Sequence, residues 1–153
     1  MDDDDELLPD AMEKGLAIWD GMDLKRKEKC WCVCGLCIND KTGKVVGNLF
    51  DEQINELSGR KFQKALAKAH GERCGLQKVE IVRKYKFPEI KGCSYFPEGN
   101  IWRRINEDYR QYYTNEVFRV YHQYEGESLI NFSKTQTSYE KRYRIYKYLI
   151  KCY

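Results

Sequence analysis

The sequence is poor in histidine, with two in 153 residues, and poor in the motifs that usually accompany catalysis. With His70 read as a metal ligand, His122 alone is left to act as a near-neutral base, and its surroundings are aromatic. No Walker loop, GxGxxG, HExxH or GxSxG pattern occurs, and the carboxylates are scattered or confined to the start. The expectation is a protein with no catalytic residues, not an enzyme. No apolar run approaches the roughly 18 residues that cross a bilayer, so no membrane partner is expected. The start, Met1-Asp-Asp-Asp-Asp-Glu6, is acidic where a signal peptide is basic and then apolar, which predicts a nuclear or cytoplasmic protein, not a secreted one.

Charge is unevenly spread. The net charge is +3, and residues 1–24 carry nine acids against Lys14, a local −8, so the remaining residues carry +11. A basic body of that strength is the distribution expected of a domain that meets phosphate backbones.

Seven cysteines, an odd number with no secretory signal, argue for thiolates on metal over a disulfide framework. Cys34-Gly-Leu-Cys37 has the spacing of a zinc knuckle. His70-Gly-Glu-Arg-Cys74 then supplies a second pair, so that Cys34, Cys37, His70 and Cys74 make a tetrahedral set for one Zn²⁺. Cys30, Cys32, Cys93 and His122 are left for a second ion, or to replace members of the first set. His70-Gly-Glu72 also matches the His-x-Glu element of zinc deaminases, but the Cys-x-x-Cys lies upstream where that chemistry needs it downstream.

Along the chain, residues 1–6 form an acidic disordered start. Leu8, Met12, Leu16, Trp19 and Met22 fall on one stripe of an amphipathic acidic helix over residues 7–24. Lys25 to Lys29 is a basic linker with a weak suggestion of a phosphate contact. Residues 30–93 form the zinc-binding module: the knuckle, a turn at Asn39 to Gly43, a short strand at Lys44 to Val46, and a helix capped by Asn48 and ended by Gly71. On that helix Ile54, Phe62, Ala65, Leu66 and Ala69 lie within about 120° of arc, and Arg60, Lys61, Lys64 and Lys68 in a neighbouring sector of about 100°. Those four bases are the candidate nucleic-acid contacts. Alternation predicts a strand over Lys78 to Phe87, and a stripe from Trp102 to Tyr124 predicts a helix from Ile101 onward. Residues 101–153 then read as a tyrosine-rich, basic helical region packed on the module, its tyrosines interleaved with Lys141, Arg142, Arg144, Lys147 and Lys151.

The expected fold is α+β: a small zinc-stabilised ββα-like finger module with an appended strand and C-terminal helices in a single compact domain. From Cys34 to Cys74, 41 of 153 residues, the order of ligands resembles Cys-Cys-His-Cys fingers, including the DNA-binding THAP and BED fingers with long intervals between pairs. THAP domains end in Cys then His, reversed here. The resemblance implies a zinc-held helix that reads nucleic acid. The function expected is thus a zinc-finger nucleic-acid-binding regulatory protein, DNA before RNA, with one zinc ion or two. The alternative is a zinc-stabilised interaction adaptor, such as a viral or mobile-element accessory protein that captures host proteins through residues 7–24.

Overall fold

Cys30 to Asn39 runs as a single strand, and its first eight residues are all buried. A run so apolar on both faces belongs in the middle of a sheet with helices or loops above and below it. A computed structural model, in which residues 5–50, 69–91, 96–122 and 145–148 are described, shows that arrangement. In chain order the elements are β1 (Glu6–Leu7), α1 (Ala11–Asp20), α2 (Leu24–Lys29), β2 (Cys30–Asn39), β3 (Arg73–Gln77), α3 (Val79–Val82), α4 (Gly99–Asp108) and β4 (Arg110–Tyr121). They build one α+β domain around a four-stranded mixed sheet in the order β1-β4-β2-β3.

β2 and β4 are parallel, with Cys30 opposite Arg110 and Asn39 opposite Tyr121. β3 runs antiparallel to β2, Cys32 facing Gln77 and Leu36 facing Arg73, while β1 pairs antiparallel with the end of β4. Irregularities in the β2–β4 ladder at Trp31 and around Leu36 break strict alternation, as an extra residue in one strand must. Trp31 and Cys32 therefore both enter one cluster, with Cys34, Leu36, Tyr113 and, from α3 and α4, Ile81, Ile101 and Ile105. Cys30, Val33, Cys37, Cys74 and Phe118 fill the other face beneath Ala11 of α1 and Met22. Trp31 satisfies its buried indole by donating to Asn106 Oδ1 at 2.8 Å.

α1 docks through its smallest residues. Ala11 and Gly15 are buried, whereas Met12 and Leu16 of the expected stripe are 50% and 53% exposed. A Cβ at Gly15 would stand 2.0 Å from Leu76 Cδ1, so the helix backbone lies almost on the sheet and the close approach outweighs the larger side chains. The helix also ends at Asp20, short of the expected 24.

Other expectations change with tertiary pairing. Lys25 to Lys29 is helix and not linker, with Asp23 Oδ1 accepting from Arg26 N at 2.8 Å as its N-cap. The expected knuckle at Cys34 to Cys37 is interior strand. Val79 to Phe87 opens as α3, and the strand lies just before it in β3. The long C-terminal helix stops at Asp108, beyond which the β-branched and aromatic run to Tyr121 pairs with β2. The turn at Asn39 forms as expected: its Oδ1 accepts from Lys41 N, Thr42 N and Thr42 Oγ1, and Gly43 takes φ +64°. Val45 makes only an isolated bridge to Ile38. Residues 51–68, most of the expected basic helix, lie outside the described residues, as does most of the C-terminal tyrosine run. Gly71 is half of a backbone crossing: it bridges Gly47, at φ +121° and +107°, and a Cβ on either would come within 1.9 Å of a carbonyl oxygen opposite.

Candidate nucleic-acid interface

The parallel pairing of β2 and β4 and the antiparallel return of β3 bring three basic segments to one end of the sheet. Lys29 closes α2 immediately before Cys30, Cys30 faces Arg110 at the start of β4, and Lys78 follows Gln77, which faces Cys32. Lys78 Nζ donates to the Lys27 carbonyl at 3.0 Å and sits 4.6 Å from the Trp19 ring, so β3 is tied to α2 across this end. Lys27 in turn donates to the Asp20 carbonyl at 3.1 Å. A fourth segment joins through Tyr85, whose hydroxyl donates to Asp108 Oδ2 at 2.6 Å, two residues before Arg110. Burial, with this bond and the carboxylate beside it, pushes the Tyr85 hydroxyl up to about 12, so it stays protonated and the bond holds at neutral pH.

The cations here divide by role. Arg26 pairs with Asp23, Lys27 lies 3.9 Å from Asp20, and Lys78 lies 3.9 Å from Glu80. Lys25, Lys29, Arg83, Lys84, Lys86 and Arg110 are exposed and make no ion pair among the described residues. The first group fixes the segments and the second leaves charge in water, which is the condition for neutralising an external polyanion. Lys25 and Lys29 were visible in the sequence as a basic run. Lys84 and Lys86 were hidden in a segment read as strand, and Arg110 within a segment read as helix. Arg60, Lys61, Lys64 and Lys68, the bases singled out in the sequence, lie outside the described residues.

At the opposite end of the sheet the same residue type is put to another use. Arg119 of β4 is 6% exposed. Its Nη1 lies 2.7 Å from Asp5 Oδ2, its Nη2 3.3 Å from Glu72 Oε2, and its Nε donates to Cys37 Sγ at 3.2 Å. The pair with Asp5 pins β1 to the sheet. Glu72, the acid of the His-x-Glu pattern, is thereby occupied as a counter-ion. His122, just past β4, lies 3.2 Å from Asp40 through Nδ1.

The cysteines expected to hold zinc are dispersed over this frame. Cys34 belongs to the cluster on one face of the sheet, Cys37 and Cys74 to the cluster on the other, and His70 sits exposed in the turn at Gly71. Sulfurs bound to one zinc must lie within about 4 Å of each other, given Zn–S bonds of about 2.3 Å, and donors on opposite faces of one strand do not meet that condition. Cys30 and His122 of the second set stand at opposite ends of ten-residue β2, about 30 Å apart at roughly 3.3 Å per residue; Cys93 lies outside the described residues. Among the described residues no group of three or more His, Cys, Asp or Glu is arranged to hold a metal ion. The donor set does not fit zinc as expected.

The thiols are core residues in character. Burial raises the Cys37 thiol to about 11 against the opposing pull of Arg119, and raises Cys74 likewise. Cys32 is raised by its contact with the Cys34 thiol and by burial. In the absence of a metal ion all three are therefore neutral near pH 7 and poor nucleophiles.

No protein-family model and no curated protein matches the sequence. No helix among the described residues is long and apolar enough to cross a membrane.

Proposed function

We propose that this chain is a nucleic-acid-binding protein whose contact surface is the basic end of the sheet, acting by binding and not by catalysis. One observation supports the reading: the Cys30–Arg110 pairing brings α2 and the start of β4, far apart in sequence, together and the Lys78 to Lys27 bond ties the β3–α3 turn to them, so that Lys25, Lys29 and Arg110, which make no ion pair among the described residues, lie at one end of the sheet. A solvated surface would not need its basic segments cross-linked. The zinc-finger form of this function is set aside because the donors do not converge, and the regulatory role and the nuclear or cytoplasmic setting remain parts of the proposal.

The test is the salt dependence of binding. Each phosphate neutralised on duplex DNA adds about 0.9 to the slope of log affinity against log salt, and on a single strand about 0.7. Replacing Lys25, Lys29, Lys84 and Lys86 together with Ala should flatten that slope by roughly three units while leaving the circular dichroism spectrum unchanged. An unchanged slope would sink the reading.

A second reading has its own observation. Met12 and Leu16 are each about half exposed on α1, at 50% and 53%, on a helix that also carries Glu13 and Asp20. That face suits the adaptor role expected for residues 7–24, with a partner groove covering the two apolar side chains.

A further inference from the structure

We infer that the ligand is single-stranded nucleic acid, one base of which stacks on Phe87, an inference that rests on the proposed function and narrows it. Phe87 follows directly on the exposed Lys84 and Lys86 and is itself 45% exposed. It is not a loose side chain. Its ring stands nearly perpendicular to Trp102 of α4, centroids 6.0 Å apart at 87°, and to Phe96, 6.5 Å apart at 89°. Trp102 is backed by the buried Trp31, centroids 5.4 Å apart, and Trp31 is locked by Asn106. A chain of rings thus runs from the core of the sheet to the surface and holds Phe87 in place while nearly half of it meets water.

An exposed ring already held in place by other rings can accept a stacking partner without first being ordered. Two further features give the ring a use. The Tyr85 to Asp108 bond fixes the strip Lys84, Tyr85, Lys86, Phe87 at both its middle and, through Trp102, its end. Lys84 and Lys86 are exposed and both precede Phe87 in the chain, so the backbone of a strand with a base stacked on the ring would meet cations on that side. Aromatic stacking with backbone neutralisation is the mode of single-strand binding, in which each stacked base contributes about 1 to 3 kcal/mol and sequence matters little. In a duplex both faces of each internal base are already stacked, so the ring gains nothing there.

The experiment is a fluorescence anisotropy titration of the full chain with labelled 15-mers: oligo-dT, oligo-rU and a mixed-sequence duplex DNA, at two salt concentrations. The wild type should bind single strands more tightly than duplex. Phe87→Ala should weaken single-strand binding by at least fivefold, the lower end of what one stacked base provides, and leave duplex affinity and the salt slope unchanged. Phe87→Trp should restore affinity and show fluorescence quenched on adding oligonucleotide, which no folding defect reproduces. Phe87→Leu, which keeps the apolar contact with Trp102, should behave like Phe87→Ala. Equal loss on duplex and single strand, or no loss in Phe87→Ala, overturns the stacking inference while the lysine variant still tests the interface. Failure of both variants to change binding overturns interface and inference together. Preference for the duplex over both single strands refutes the single-strand assignment.

Discussion

The two ends of the sheet treat positive charge in opposite ways. At the Cys30 end, cations are gathered from α2, the segment after α3 and the start of β4, and Lys25, Lys29, Arg83, Lys84, Lys86 and Arg110 make no ion pair among the described residues; at the Asn39 end, Arg119 is sunk to 6% exposure with Asp5 and Glu72 against it. A buried cation is tolerable only when its partners are in place, so Arg119 is an element of the fold, and a crowd of exposed cations destabilises by mutual repulsion unless a polyanion arrives. The residue type is common to both ends, and its surroundings decide its role.

The sharpest way to break the contrast is to remove Arg119. Arg119→Ala strands the Asp5 carboxylate, whose side chain is 1% exposed, and should cost about 3 to 5 kcal/mol in urea unfolding. Arg119→Met together with Asp5→Asn should recover most of that loss, since replacing both partners is far cheaper than orphaning one. The quadruple lysine variant at the other end should move stability by less than about 1 kcal/mol in total, because exposed cations contribute little to the fold. If the lysine variant unfolded and the Arg119 variant did not, the assignment of roles would be reversed. Next in size is Gly71→Ala, which puts a Cβ 1.9 Å from the Val46 carbonyl oxygen at φ +121° and should cost about 2 to 3 kcal/mol by the same measurement.

Charge and the mixed α+β class were legible from the residues. The Asn39 turn was legible too, because its side chain makes its own bonds and asks nothing of the rest of the chain. The sheet was not. Cys34-Gly-Leu-Cys37 carries the same letters in a knuckle and in a strand, and only the ladders from β3 and β4 show that it runs through the middle of a sheet. The run from Arg110 to Tyr121 satisfies helical and strand periodicities at once, and pairing with β2 settled the matter. α1 shows the limit most clearly: hydrophobic periodicity weights large side chains, whereas this helix docks by Gly15, which has none. The convergence of Lys29, Lys78 and Arg110 is a product of topology, invisible until the strand order is known.

The cysteines offer a test that bears on core against metal. Cys34 and Cys37 stand about 10 Å apart along β2, at roughly 3.3 Å per residue, and fill different faces. Their Ala substitutions should each cost roughly 1 to 2 kcal/mol and add to within about 0.5 kcal/mol. Two ligands of one ion would instead lose nearly everything in the first substitution. Alkaline pH tests the same burial. The Cys37 thiol stands at about 11 when folded against 9.0 for an ordinary thiol; the folded state therefore binds the proton more tightly, so its stabilising contribution is complete below pH 9 and is lost as pH rises toward 11. Cys37→Ala should flatten that decline in the wild-type stability curve.

The smallest effect expected joins the fold to the basic end. α2 is six residues long, too short to persist without its cap or its packing, and its cap is an acid standing among the cations it presents. Asp23→Asn keeps an oxygen to accept from Arg26 N while deleting the charge, so stability should change by only a few tenths of a kcal/mol and nucleic-acid affinity should rise slightly. Asp23→Ala removes the acceptor as well, at a cost of about 1 kcal/mol, and lets the first turn of α2 fray where Lys25 sits. Although it deletes the same negative charge, it should bind less tightly than Asp23→Asn, because a cation on a frayed turn must be ordered again when it meets phosphate. Equal affinities for the two variants would mean that α2 contributes charge without position, and that the order at the basic end comes from Lys78 and Tyr85 alone.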